Sequence, residues 1–168
     1  MEKQNSAEWD NRYLTGIEKL DDQHRELVRM IGNIPDGKDE EETGIFLRQN
    51  IFRLIQYLKF HFGEEERFME KIGYPDLAVH TKQHEKFMEE LLELVKRTGD
   101  DNFFSPAAII RYLKDSILAH IALIDKKYAT FNHVLSLQAG TVERQYQPVR
   151  RSAFWHELQN LPTEAFIG

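Results

Sequence analysis

Apolar residues recur in alternating steps of three and four along four segments of the chain, which is the spacing of one face of an α-helix. These segments predict helices over about residues 20–33, 40–71, 76–97 and 106–133. Turn-forming residues separate the helices at Pro35, at Gly73-Tyr74-Pro75 and at Ser105-Pro106. At the last of these, Ser105 is expected to cap the fourth helix and Pro106 to take its first position.

The short connections between the helices predict an all-α fold, an antiparallel up-down four-helix bundle. We expect the bundle, with an N-terminal arm, to occupy residues 1–135 and a C-terminal extension to occupy residues 136–168. The extension contains Tyr146, Phe154 and Trp155, which is too aromatic for a purely disordered linker. Several interpretations fit it: a short helix that packs against the bundle, covers a tunnel or forms a dimer contact, and a linker to an output domain or a protein partner.

Composition narrows the class of protein. The chain has 168 residues, of which 41% are hydrophobic and 30% are charged, and this suits one compact domain. No stretch approaches the roughly 18 consecutive apolar residues of a membrane span, and residues 1–6 lack the apolar core of a signal peptide, so we expect a cytoplasmic protein. The formal net charge of −6, without a prominent basic patch, argues against nucleic acid as a partner. Because the chain has no cysteine, a metal site must use nitrogen and oxygen ligands.

Ionisable side chains occupy core positions in all four predicted helices, where the helical period calls for apolar residues. They are His24 in the first helix, His61 and Glu65 in the second, His80 and His84 in the third, and His120 in the fourth. Burying such groups without partners is unfavourable by several kcal/mol each. Two of the pairs are four residues apart and therefore share one helix face. Either pair alone is weak evidence, but together the six residues indicate a common metal site.

Asp125 is harder to place. It follows His120 by five residues, and five residues turn an α-helix by about 500°, so the two side chains should point about 140° apart. Periodicity alone therefore does not pair them. Since Asp125 lies one turn after Ile121, beside the apolar stripe, two interpretations stay open. It is either a solvated aspartate near Lys126 and Lys127 or a carboxylate that turns inward.

Taken together, these residues resemble the complete ligand pattern of the hemerythrin family. The pattern consists of His24, His61-x-x-x-Glu65, His80-x-x-x-His84 and His120-x-x-x-x-Asp125. Flanking sequence is similar to the bacterial branch, the bacteriohemerythrins. The flanking matches are Trp9, Tyr13-Leu14-Thr15-Gly16-Ile17, Leu20-Asp21-Asp22-Gln23, Phe68-Met69 and Gly73-Tyr74-Pro75. The resemblance covers about residues 7–133.

This resemblance implies a non-haem centre of two iron ions, joined by an oxo or hydroxo bridge from solvent. One iron is then expected to take His80, His84 and His120, and the other to take His24 and His61. The resemblance further implies that Glu65 and Asp125 bridge the two irons. The two-histidine iron keeps one open position, at which dioxygen, the expected partner, binds in this family.

Reversible dioxygen binding requires a dry, apolar pocket beside the open position. From their places on the helical stripes, we expect Leu27, Phe62, Ile117 and Ile121 to line it, although ordinary core packing also explains these four.

The expected function is therefore carriage, storage or delivery of dioxygen. The main alternative is an oxygen or redox sensor that acts through residues 136–168. A ferritin-like oxidase is disfavoured because such sites carry two Glu-x-x-His motifs, so we expect no enzymatic activity. A metal-free interaction bundle is the least favoured alternative.

Overall fold

The computed structural model describes residues 9–34, 40–97 and 106–138. The helices are α1 (Glu18–Gly32), α2 (Glu40–Ile72), α3 (Leu77–Arg97), α4 (Pro106–Ala119) and α5 (Lys126–Gln138), with a 3-10 turn at Asn11–Tyr13 and a π-helical segment at His120–Asp125. α4, the π-helical segment and α5 follow one another without a break, so they form the fourth helix of the bundle. The described residues contain no strand, and the prediction of an all-α fold of four packed helices is confirmed. Within these ranges, no helix has the length and apolar character to cross a membrane.

The predicted helix bounds agree with the structure to within a few residues, except at the end of the fourth helix. That helix continues to Gln138 rather than ending near residue 133. The expected boundary between residues 135 and 136 therefore falls inside a helix. The predicted Ser105 cap and the residues after 138 lie outside the described part of the chain.

Two apolar clusters show that neighbouring helices run in opposite directions. One cluster joins the start of α1 to the end of α2 and the starts of α3 and α5, through Leu20, Met69, Leu77 and Tyr128. The other joins the opposite halves of α1, α2 and α3 to α4, through Ile31, Ile51, Leu91 and Ile110. The ionisable residues of the stripes lie between the two clusters. Apolar packing above and below therefore fixes the helices on which these residues are carried.

The N-terminal arm is tied to two helices that carry predicted ligands. The Asp21 carboxylate accepts hydrogen bonds from the Thr15 backbone N–H (2.6 Å), the Thr15 hydroxyl (2.7 Å) and the Gly16 backbone N–H (3.1 Å). Gly16 has a φ of 77°, a conformation that favours glycine. On the fourth helix, the Lys126 ammonium donates to the Leu14 carbonyl. The arm thus holds α1 and α5 together beside the cluster.

The connection between α2 and α3 is a Schellman turn. The Gly73 N–H donates to the Glu70 carbonyl (3.0 Å) and the Tyr74 N–H donates to the Met69 carbonyl (2.9 Å). Gly73 has a φ of 63°, the left-handed conformation that this motif requires. The tight turn starts α3 at Leu77, one turn before His80.

Candidate metal centre

All seven residues predicted as ligands converge in the middle of the bundle. Their potential ligand atoms fall into two overlapping groups, and within each group the atoms lie within 4.8 Å of one another. The first group contains Glu65, His80, His84, His120 and Asp125, and the second contains His24, His61, Glu65 and Asp125. Both carboxylates belong to both groups. His120, with 11% of its side-chain surface exposed, is the most accessible of the seven.

The π-helical segment explains how Asp125 reaches this cluster. In a π-helix the backbone hydrogen bonds join residues five apart, which places such residues on the same face. His120 and Asp125 are the first and last residues of the segment, and His120 Nε2 lies 3.1 Å from Asp125 Oδ1. Asp125 is completely buried, so the interpretation of a solvated aspartate is wrong. After this change of pitch Asp125 is buried, whereas its neighbour Ile124 is only half-buried.

Three imidazoles meet at one point on the side of α3 and the fourth helix. His84 Nε2 lies 3.0 Å from His80 Nε2 and 3.2 Å from His120 Nε2. An imidazole nitrogen has either one hydrogen or one lone pair, so His84 Nε2 cannot form a normal hydrogen bond to both of the other nitrogens. Two nitrogens bound at right angles to one ion, each at about 2.1 Å, lie about 3.0 Å apart. The three nitrogens are therefore spaced as neighbouring ligands of one metal ion.

The five histidines form two sets: the two-histidine set is His24 and His61, and the three-histidine set is His80, His84 and His120. The Glu65 carboxylate directs one oxygen toward each set. Its Oε1 lies 3.4 Å from His24 Nε2 and 3.5 Å from His61 Nε2. Its Oε2 lies 3.2 Å from His84 Nε2, in the three-histidine set.

Asp125, on the fourth helix, also directs one carboxylate oxygen toward each histidine set. Its Oδ2 lies 3.4 Å from His24 Nε2, whereas its Oδ1 lies 3.3 Å from His80 Nε2 and 3.1 Å from His120 Nε2. Each carboxylate therefore offers one oxygen to each set, which is the arrangement needed to hold two cations side by side.

Several buried polar atoms of the cluster have no hydrogen-bond partner among the described residues. They are His24 Nδ1, Glu65 Oε2 and both carboxylate oxygens of Asp125. Buried carboxylate oxygens are normally hydrogen-bonded or bound to a metal, since leaving them bare is unfavourable. The donor set of five imidazoles and two carboxylates suits iron among the transition metals. The residues present therefore fit a metal centre.

Burial and mutual attraction set the pKa values within the cluster. Burial lowers the pKa of His24, but the Asp125 and Glu65 carboxylates outweigh this effect and raise it to about 9. Burial acts on His84 in the same direction, and Glu65 and Glu66 likewise raise its pKa to about 9. For His61 burial dominates and lowers the pKa to about 4.

The two shared carboxylates are stabilised as anions. Burial and the negative charge of Asp125 favour the neutral form of Glu65, but the surrounding imidazoles outweigh both, so the pKa of Glu65 is lowered. The pKa of Asp125 is also lowered, because contacts with His120, His24 and His80 outweigh its burial. Both side chains are therefore ready to bind cations at neutral pH.

Three further polar residues, Gln23, Glu66 and Tyr128, form hydrogen bonds to predicted ligands. This role was not predicted from the sequence. The His61 Nδ1–H donates to the Gln23 side-chain carbonyl (2.9 Å), and the His84 Nδ1–H donates to Glu66 (3.0 Å). These bonds leave the Nε2 lone pair of the neutral ring facing the cluster. The Tyr128 hydroxyl donates to Glu65 Oε1 at 2.7 Å. Burial and the nearby carboxylates raise the pKa of Tyr128, so the phenol stays a donor.

A small apolar cavity adjoins the two-histidine side of the cluster. Its volume is about 10 Å³, close to the space of one water molecule. The structure brings all four residues expected to line a pocket to this cavity, together with Phe87 and the rings of two histidines. The full lining is Leu27, His61, Phe62, Phe87, Ile117, His120 and Ile121.

Comparison with known proteins gives a consistent result. The family model described as the Hemerythrin HHE cation binding domain matches residues 15–131, more than half of the chain. The myohemerythrin of Theromyzon tessulatum is 29% identical over 121 residues, which cover 72% of this chain and 89% of the relative. The bacteriohemerythrin of Methylococcus capsulatus is 29% identical over 117 residues, which cover 68% of this chain and 86% of the relative. The buried cluster of histidines and carboxylates is thus found in a chain that belongs to the hemerythrin family.

Proposed function

We propose that the cluster holds two iron ions and that the protein binds dioxygen reversibly for carriage, storage or delivery. The observation that carries this proposal is the division of the two buried carboxylates. Glu65 and Asp125 each direct one oxygen toward the three-histidine set and the other toward the two-histidine set. An ion bound to one histidine set alone would leave the other set, and the carboxylate oxygen of Glu65 and of Asp125 that faces it, without a metal.

These contacts support one assignment of the ligands. His80, His84 and His120 would hold one ion, His24 and His61 would hold the other, and Glu65 and Asp125 would bind both. The protein would then supply five ligands to the first ion and four to the second. A solvent-derived oxo or hydroxo group shared by the ions would bring the counts to six and five. The two-histidine ion would therefore keep an open position.

The cavity makes this open position suitable for a small neutral ligand. His61, which belongs to the two-histidine set, is part of its wall. Apart from His61 and His120, the side chains that close it, Leu27, Phe62 and Ile117 among them, are apolar. An apolar lining disfavours water in this space, which slows loss of a reduced oxygen species and oxidation of the metal pair.

The chain's own residues hold the centre rather than react. When bound, the iron pair supplies the electrons that retain dioxygen. Gln23 and Glu66 orient His61 and His84, and Tyr128 restrains Glu65. Apart from the histidines assigned as ligands, none of the described side chains that line the cavity is titratable and could act on a bound molecule as an acid or base. We therefore propose that the protein is not an enzyme.

A sensory role is the second candidate, and one structural feature favours it. The helix that carries His120 and Asp125 continues without a break to Gln138 and leads toward residues 139–168. A change at the metal pair would act directly on this helix, which also contacts the N-terminal arm through Lys126. Under this candidate, an output domain or protein partner would read the state of the centre through the extension.

An anaerobic absorption experiment distinguishes these functions. The protein is loaded with ferrous iron, exposed to oxygen and then deoxygenated. We expect a colourless form to gain charge-transfer bands on oxygenation and to lose them on deoxygenation. Prompt, irreversible oxidation would refute the carrier function and favour the sensor.

A matched pair of variants tests the ligand assignment in the same assay. Glu65→Ala should abolish iron binding and the oxygen-dependent bands. Glu64→Ala, a change in the neighbouring carboxylate that bonds to Lys19 and Arg67 at the surface, should preserve both. Full iron retention in Glu65→Ala would refute the assignment of Glu65 as a bridge.

A further inference from the structure

A surface groove lies directly outside the apolar cavity. It is bounded by α3 and the fourth helix and has a volume of about 310 Å³. Phe87 and His120 line both the groove and the cavity. These two side chains therefore separate the inner space from the surface.

Phe87 is held from both sides by aromatic contacts. On the inner side its ring meets Phe62 edge to face, with centroids 5.9 Å apart and planes at 90°. On the outer side it stacks on Tyr112, with centroids 5.9 Å apart and planes at 15°. The Tyr112 hydroxyl donates to Glu90 at 2.6 Å. The position of the Phe87 ring thus depends on a tyrosine that is itself anchored at the protein surface.

On the α4 side the groove is lined in part by two small side chains, Ser116 and Ala119, which fill little of its space. His120 follows directly and begins the π-helical segment, where the helix departs from its regular hydrogen bonding. His120 is also the most exposed of the proposed ligands. The cavity and the surface groove therefore meet at Phe87 and His120.

We infer that this groove is the entrance to the metal centre and that Phe87 is its gate. The inference rests on the proposed function, because it concerns the route to the same cavity. The molecules admitted are small ligands of two or three atoms, such as dioxygen or a linear inorganic anion. Rotation of the Phe87 ring toward the groove opens a path past His120 into the cavity. Ser116 controls the outer opening without contacting the cavity, so it sets the rate of passage and not the affinity.

Azide binding to the diferric protein tests this route by stopped-flow absorption. Azide coordinates ferric iron, and its association and dissociation rates are measured separately. Ser116→Phe should slow both rates by the same factor, about tenfold, which corresponds to about 1.4 kcal/mol in the barrier, and should leave Kd unchanged. Phe87→Ala should speed both rates. The matched control is Ser136→Phe, the same change at an exposed serine of α5 outside the groove, and it should leave both rates unchanged.

Each outcome is decisive once iron content and thermal unfolding show that the variants are folded and loaded. Unchanged azide rates in Ser116→Phe overturn the inference, and so does a change in Kd without matched changes in both rates. Phe87→Ala gives a second test if Ser116→Phe fails to fold. Reversible oxygenation is not needed for this experiment. A centre that oxygen oxidises irreversibly would therefore refute the proposed function while the azide rates still report on the entrance.

Discussion

Loading the centre with ferrous iron at pH 7.5 should release about two protons per chain from histidine side chains, because an imidazole must be neutral to bind a metal. In the metal-free protein, the pKa values of His24 and His84 are about 9, since the contacting carboxylates outweigh burial. Both rings are therefore mostly protonated at pH 7.5. His61, with a pKa lowered by burial to about 4, is already neutral and releases nothing.

The expected count follows from the charge of the cluster. Without metal, the two imidazolium rings balance the Glu65 and Asp125 carboxylates, so the buried site is close to neutral. Two ferrous ions bring four positive charges and displace the two protons. If solvent bridges the ions as hydroxide, one further proton leaves and the site carries about one net positive charge. At pH 9, where each ring is half protonated beforehand, the contribution of the two histidines should fall to about one proton.

Anaerobic calorimetry measures this count directly. The titration is repeated in buffers of equal pH and different ionisation enthalpy, and the dependence of the observed heat on that enthalpy gives the number of protons released. Release of about one proton or fewer at pH 7.5 would refute the assignment of His24 and His84 as ligands that are protonated in the metal-free protein. A count that does not fall between pH 7.5 and pH 9 would refute the raised pKa values.

Three substitutions test the supporting contacts. Glu66→Gln weakens the hydrogen-bond acceptor for the His84 ring, so a chelator competition should show that iron affinity is lowered about 10- to 100-fold. The matched change Glu64→Gln should leave the iron affinity unchanged, and equal losses in both variants would contradict an orienting role for Glu66. Tyr128→Phe removes the hydroxyl that donates to the shared glutamate, so denaturant unfolding of the loaded protein should show about 1.5–3 kcal/mol less stability, and no loss would mean that this bond is not stabilising. Gly73→Ala places a Cβ in open space at a φ of 63°, so only backbone strain of about 1–2 kcal/mol is expected, and an unchanged Tm would argue against the left-handed turn.

The residues that form the core of the bundle and most of the candidate metal centre could be predicted from the sequence. The three–four spacing of apolar residues gives both the helices and the direction of each side chain, since positions on one stripe face one core. His24, His61, Glu65, His80, His84 and His120 all lie on such stripes, and all six meet in the structure. Their burial between two apolar clusters follows from the same pattern.

Asp125 could not be placed by periodicity, because the fourth helix does not keep the α-helical period through the site. The extra residue of the π-helical segment restores its alignment with His120. Only the complete hemerythrin pattern indicated that Asp125 belonged to the centre.

The residues that orient the ligands, Gln23, Glu66 and Tyr128, could not be predicted from the sequence for a different reason. Glu64 and Glu66 flank Glu65 on opposite edges of the helix face, and tertiary packing buries Glu66 against His84 while Glu64 stays near the surface. The sequence feature that could have pointed to Gln23 is its position next to His24. Tyr128 follows Asp125 by three residues on the inward face. In both cases the hydrogen-bond partner is on another helix, so the sequence alone did not identify it.

Diffraction at the iron absorption edge, from crystals of the iron-loaded protein, tests most directly whether these side chains hold two metal ions. We expect two anomalous peaks about 3.5–4 Å apart, both in contact with Glu65 and Asp125. One should contact His80, His84 and His120, and the other His24 and His61. A single peak, or two peaks that do not share the carboxylates, would contradict the binuclear centre.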